Sequence, residues 1–151
     1  MSTQSRFNID YSEITILNIL LFIWQLPQHL VAILIFMFMN QNPYEWKNEH
    51  TGMTLLCLNV STSFCWSLGQ FVFLNPCASD DVRKHESGHS IQSLFLGPIY
   101  LLAIGIPSVI LFVIKQIRKH ILKHSEESLF KWYHSHYPEK WADKLGGVFI
   151  E

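Results

Sequence analysis

Residues 83–93 read RKHESGHSIQS, and the fold of this chain turns on what His85, Glu86 and His89 do within them. In a helix of about 3.6 residues per turn, side chains four positions apart stand one above the other. His85 and His89 then present two imidazoles to one point, with Glu86 beside them. Two ring nitrogens reaching an ion at about 2.0–2.1 Å, next to a carboxylate able to take a proton from water, form the helical half of a zinc site. With eight His and eight Glu in the chain, such a motif arises by chance in roughly 2% of shuffled sequences. The motif therefore calls for a third ligand from elsewhere.

The flanks of the motif set its surroundings. Ser79, Asp80 and Asp81 offer N-caps, which predicts a helix over residues 80–95. Beyond it, residues 94–114 (LFLGPIYLLAIGIPSVILFVI) carry no charge. Two further uncharged stretches cover residues 14–43 and 51–79. Charged residues make up 15% of the 151-residue chain and hydrophobic ones 49%, against about 25% charged in an ordinary soluble domain. That distribution predicts a mainly α integral membrane protein, a single membrane-embedded domain over residues 1–151 whose partner is the lipid bilayer. The net charge is −1, so no bulk attraction to nucleic acid is expected. Nothing in the composition bears on oligomeric state.

Residues 14–40 are long enough to cross a hydrocarbon core of about 30 Å as one helix. Gln25, Pro27, Gln28 and His29 sit at its centre. Proline kinks a helix, and the polar group is expected to face protein instead of lipid; His29 reads as a kink-stabilising core histidine, with zinc ligation the alternative. The first thirteen residues carry Arg6 against Asp10 and Glu13, a poor signal-peptide flank, so the first segment is expected to stay in the mature protein. Within residues 52–75, the run SFCWSLGQFVFL (63–74) alternates aromatic and small residues around Gly69. A β-hairpin is expected there, or alternatively a weakly hydrophobic membrane helix. Cys57, Cys65 and Cys77 lack paired spacing and read as small apolar residues.

The third uncharged stretch belongs to a membrane segment over about residues 96–117, broken at Gly97-Pro98 and at Gly105-Ile106-Pro107. Lys115, Arg118, Lys119 and Lys123 follow it, which by the positive-inside tendency makes that flank cytoplasmic. A single crossing would separate His89 from everything after Lys115. A re-entrant hairpin turning at 105–107 is therefore expected, the alternative being a motif helix at the cytoplasmic membrane face with residues 94–114 dipping in and out. Residues 120–136 have amphipathic spacing and predict a surface helix, and Pro138 opens a last short helix over 138–145, stopped by Gly146-Gly147.

That last helix holds Glu139 and Asp143, one turn apart. Such a pair marks either a solvated face or a ligand helix. In the second case Glu139 completes the metal set, and Asp143 accepts a hydrogen bond from the outer nitrogen of a ligating histidine. His134 and His136, nearby in sequence, read as exposed helix-end residues.

His85-Glu86-x-x-His89 followed by Glu139-Lys140-Trp141-Ala142-Asp143 resembles the gluzincin metallopeptidases, particularly the membrane-embedded M48-type proteases. The resemblance implies a minimal zincin-like core, Zn2+ as cofactor, His85, His89 and Glu139 as metal ligands, Glu86 as catalytic base and Asp143 as the carboxylate behind a ligand. The chain is also similar to small bacterial membrane proteins pairing H-E-x-G-H with A-D-x-L-G-G-V, which implies the bacterial inner (cytoplasmic) membrane, with the site on the cytoplasmic side. The expected activity is zinc-dependent hydrolysis of a peptide or membrane-protein substrate, with a strand near residues 63–74 pairing to it. The alternative is a non-catalytic membrane protein with a structural or vestigial metal site.

Overall fold

The computed structural model describes residues 16–39, 43–52, 54–61 and 64–149, with side chains described from residue 19 onward. Residues 14, 15 and 40 of the expected first helix, and 53, 62 and 63 of the expected hairpin, lie outside the described residues. The fold is mainly helical, with a four-stranded sheet ahead of the motif helix.

The first uncharged stretch forms two helices, α1 (Ile16–Trp24) and α2 (Leu26–Met37), meeting at Gln25. Pro27 lies in the first turn of α2, where a missing N–H costs least. Gln25, Gln28 and His29 are all buried, and each is held by protein hydrogen bonds, although Gln28 Oε1 has no partner. Gln28 Nε2 donates to Ser93 Oγ (2.8 Å) and to the Gly97 carbonyl (3.1 Å). Ser93 Oγ donates to Gln25 Oε1 at 2.8 Å. His29 contacts the Phe22 carbonyl through Nδ1 and accepts from the Gln70 amide at Nε2. Both its ring nitrogens are thus engaged, as befits a core histidine and not a metal ligand.

Residues 52–75 are more than a hairpin. Strands β1 (Tyr44–Lys47), β2 (Thr54–Asn59), β3 (Trp66–Leu68) and β4 (Phe71–Leu74) form one mixed sheet in the order β1-β2-β4-β3. β3 and β4 make an antiparallel hairpin across Gly69, but β2 lies parallel to β4 and antiparallel to β1. The membrane-helix alternative for this region is overturned. Side-chain alternation along a strand gives the sheet two apolar faces. Leu58, Val60 and Phe73 pack with Ala32 of α2 on one face; Leu55, Cys57, Val72 and Leu74 pack beside Ala78 and Val82 on the other. The three cysteines are free.

The motif helix, α3 (Asp80–Leu96), starts at Ser79, whose Oγ accepts from the Val82 amide at 3.3 Å. Asp80 and Asp81 fill its first turn, favourable beside a helix N-terminus. It ends at Gly97, held at φ +51°. After a short turn (Gly97–Ile99) the chain runs helically through a wide π-type turn (Leu101–Gly105) into α4 (Ile106–His120).

This corrects the expected re-entrant hairpin. Gly105-Ile106-Pro107 is helical, because the wide turn before Pro107 leaves room for its ring and absorbs its missing donor. The reversal falls at Gly97 instead. α4 comes back along the far side of a cleft from α3, so that Phe112 and Lys115 stand level with His85 and Glu86. The helical stretch Leu101–His120 is long and apolar enough to cross a membrane and is mostly exposed.

The expected 120–136 helix is shorter, α5 (Glu126–His134), since Lys123 at φ +56° breaks the chain after α4. It returns along α4 through Lys119–Glu126 (2.7 Å) and the stacking of Arg118 on Trp132. The last helix, α6 (Glu139–Gly146), closes at Gly147 with φ +82°.

Candidate metal centre

Helices α3 and α6 bring the site together by lying unusually close. A Cβ on Gly88 would be driven into the Ala142 carbonyl, and one on Gly146 into the Lys84 carbonyl. Glycine at these two places lets backbone meet backbone. Asn48, buried after β1, clamps the pair by donating from Nδ2 to Ser87 Oγ and to the Gly146 carbonyl.

At this approach the fully buried Glu139 enters the motif helix's field. Its Oε2 lies 3.1 Å from His85 Nε2 and 3.2 Å from His89 Nε2. Four ligands at about 2.0–2.1 Å in a tetrahedron stand about 3.3 Å from one another, so the two edges from Glu139 match such a tetrahedron, and the ligand atoms of all three residues lie within 4.8 Å of one another. The other Glu139 oxygen, Oε1, is buried without a hydrogen-bond partner, as is Glu86 Oε2. Leaving such groups unmatched is costly, and a cation between the three groups satisfies Glu139. The donor set fits a divalent metal ion.

The outer nitrogens are tied down as well. His85 Nδ1 donates to Asp143 Oδ1 at 2.7 Å, and His89 Nδ1 donates to Gln92 Oε1 at 2.8 Å. Those two bonds select the tautomers that turn both Nε2 lone pairs inward. Asp143 is shared, since its Oδ2 receives His134 Nδ1 at 2.8 Å. Gln92 is itself fixed, donating from Nε2 to the Pro138 carbonyl at 3.0 Å. His85, His134 and Asp143 also form a second group within reach of one ion.

Burial and neighbours set the charges. Burial alone would lower the His85 pKa, but hydrogen bonds to Asp143 and Glu139 outweigh it and hold the imidazole up to about 10 in the metal-free protein. Burial likewise opposes ionisation of Glu139 and Asp143, yet their histidine partners keep both carboxyls below the ordinary range. At Glu86 burial wins over the pull of His85 and His89, and its carboxyl is raised. One step outside the ligands, Tyr133 is held protonated chiefly by burial, then by the charges of Glu139 and Glu86.

The structure thus gathers His85, Glu86, His89, Glu139 and Asp143 into one place. Gln92, His134 and Tyr133 were missed from sequence. Gln92 carried a usable signal, lying three residues after His89 on the same helix face. His134 was read as exposed, and only its approach to Asp143 shows otherwise. His85, Glu86, His89 and Glu139 all line a cleft of about 300 Å³, alongside β3 and α4.

An HExxH helix, a third ligand (the Glu139 carboxylate) from a second helix and an open cleft above them make up the active-site architecture of a zinc metallopeptidase. Family models, curated proteins and solved structures were compared with the chain, and none matches.

Proposed function

We propose that the chain is a membrane-embedded zinc peptidase of gluzincin type, hydrolysing peptide bonds of a membrane-bound or membrane-proximal polypeptide. The observation that carries this reading is the convergence of His85 Nε2, His89 Nε2 and Glu139 Oε2 beside Glu86, with all four residues open to one cleft. A structural zinc site is closed by four protein ligands, whereas a catalytic one keeps a position free. Three ligands below a cleft fit the catalytic kind.

His85, His89 and Glu139 would hold the Zn2+ ion, which when bound would supply Lewis acidity toward water and a carbonyl. The remaining work falls to side chains. Glu86, buried and with its carboxyl raised, accepts a proton from the attacking water and returns it to the leaving amine; a pKa shifted toward neutrality suits both transfers. Tyr133, protonated and on the cleft wall, is the donor for negative charge developing on the carbonyl oxygen. Asp143 and Gln92 keep the imidazoles oriented. β3 lies at the edge of the sheet and borders the cleft, so an extended substrate can pair along it by backbone hydrogen bonds.

The membrane setting is supported by apolar side chains left exposed on α1, α2 and the helical stretch Leu101–His120, among them Leu20, Leu30, Leu34, Leu102, Val109 and Ile110. Such a surface demands lipid or a partner. The basic residues after Ile114 orient the site toward the cytoplasm by the positive-inside tendency, consistent with a bacterial inner membrane.

Glu86→Gln is the test. Full zinc occupancy by elemental analysis is expected, together with loss of cleavage of a mixed-sequence peptide library scored by mass spectrometry. Cleavage at the wild-type rate would remove Glu86 from the mechanism.

A further inference from the structure

The cleft over the metal centre has two unlike halves that meet at His85 and Glu86. One half is apolar, walled by Phe64, Trp66 and Leu68 on the sheet side and by Val109 and Phe112 of α4. The other is mixed and carries the charge, with Asp81 of α3 and Lys115, Gln116, Lys119 and His120 of the same α4 set among Val82, Phe130 and Val148. Phe64, Cys65, Phe112, Tyr133, His85 and Glu86 border both halves. A polypeptide lying across the centre therefore meets hydrocarbon on one side of the scissile bond and charged or hydrated groups on the other.

The outer surface of α4 changes character at the same level. Val109, Ile110 and Val113 are exposed and apolar, while from the half-buried Lys115 onward basic residues interleave with exposed Ile117 and Ile121. Lys115 lies over the Tyr133 ring, 4.5 Å from its centroid, which fixes the first cation of α4 beside the cleft. Phe112, one turn earlier, lies within the apolar part. The change from apolar to charged along α4 thus falls level with the two imidazoles and Glu86. The division inside the cleft and the division outside it coincide.

Resting on the peptidase reading above, we propose that the substrate is a polypeptide at the point where an apolar membrane segment passes into a polar flank. Its last apolar residue occupies the Phe64–Trp66–Leu68–Val109–Phe112 half, and the polar flank lies along Lys115 and Lys119. The pocket that joins this apolar half to the metal centre, about 300 Å³, lies at the lower end of the range for binding sites, about 300–1,000 Å³. It admits a side chain or two of an extended strand and no folded domain. The reaction is hydrolysis alone: the C–N bond breaks, water's oxygen joins the acyl carbon, and its protons pass to the amine and to solvent. No other reactant is needed.

The test uses the full chain, zinc-loaded, in vesicles of phosphatidylethanolamine and phosphatidylglycerol. Two probes are offered: a synthetic peptide with a Leu-rich span followed by a Ser/Asn/Asp flank, and the flank alone as a soluble peptide. Cleavage within one turn of the apolar–polar boundary is expected, at least about tenfold faster than for the flank alone, since an apolar subsite discriminates by about 10–200-fold. Phe112→Ala and Val109→Ser are each expected to reduce that preference while zinc occupancy stays complete; Val109 is exposed, so its variant also guards against misfolding of the first. Equal cleavage of polar library peptides and of the boundary peptide would overturn the substrate proposal and leave the peptidase standing. Absence of cleavage of every probe and of the mixed library, with zinc bound, would remove the peptidase reading and this proposal with it.

Discussion

Gly88→Ala is the sharpest probe of how the centre is built. Gly88 is one of the two unspecified positions of the motif, and its backbone touches no ligand. Yet a methyl there would be driven into the Ala142 carbonyl on α6, and restoring an ordinary contact of about 3.5 Å moves the two helices apart by at least about 1 Å. Glu139 rides on α6, so its Oε2 would retreat from 3.1 and 3.2 Å of the imidazole nitrogens to about 4 Å, well beyond the tetrahedral edge of about 3.3 Å. One of three protein ligands is then lost. A hundredfold weaker zinc affinity, about 2.8 kcal/mol, is a conservative expectation. Overpacking adds about 1–3 kcal/mol of lost stability, seen as a melting temperature lower by roughly 2–12 °C. Zinc dissociation constants from chelator competition and melting curves of the metal-free protein, both in detergent, measure the two effects separately. A variant with wild-type affinity and melting temperature would show that the α3–α6 approach does not set the ligand geometry.

Other perturbations separate the remaining parts. Glu139→Ala should weaken zinc by at least about a hundredfold, read by the same competition assay; full occupancy would hand the third position to Asp143 through the group it forms with His85 and His134. Gln92→Leu keeps the volume but frees His89 Nδ1 from its 2.8 Å bond, and a loss of about 10–100-fold in affinity is expected; an unchanged constant would make Gln92 mere packing. In the metal-free protein, burial opposes protonation of His85, but Asp143 and Glu139 raise its pKa from 6.5 to about 10. The folded state then holds a proton that the unfolded chain releases, so this contribution is complete below about pH 6.5 and disappears as pH rises toward about 10. Melting temperature with chelator present should fall across that window, and His85→Asn should flatten the fall; a flat wild-type curve would refute the coupling.

The helix over 80–95, its cap and the pairing of Glu139 with the two histidines were legible because each rests on local periodicity or on chemistry that admits few partners. The sheet was not. Period-two alternation in 63–74 gives faces but not neighbours, so the parallel register of Leu56 on Phe71 and of Leu58 on Phe73 left no local trace. Nor did the strand Tyr44–Lys47, only four residues long. The chain reversal shows the difficulty most plainly. Gly97-Pro98 and Gly105-Ile106-Pro107 look alike as breaks, and local rules do not rank them. The choice is made from a distance: Gln28 donates to the Gly97 carbonyl, and Trp24 Nε1 donates to the Leu94 carbonyl at 2.9 Å. The N-terminal helices grip the first break and leave the second to continue as helix.

That choice settles a topological conflict. Had the chain crossed once without reversing, the apolar run would have ended far from the motif helix, and Glu139 would have needed a charged return path through lipid. With the turn at Gly97, α3 rises to it over about 18 Å from His85, and the chain runs back over about 22 Å to Phe112. Both arms come level, and α5 and α6 follow on the same side without crossing anything. Metal ligands and the first basic residues of α4 are thereby confined to one depth. A site at that depth draws on charge at one end and apolar surface at the other. The grip of Gln28 and Trp24 on a single turn therefore decides both whether three ligands can meet and what kind of chain can reach them.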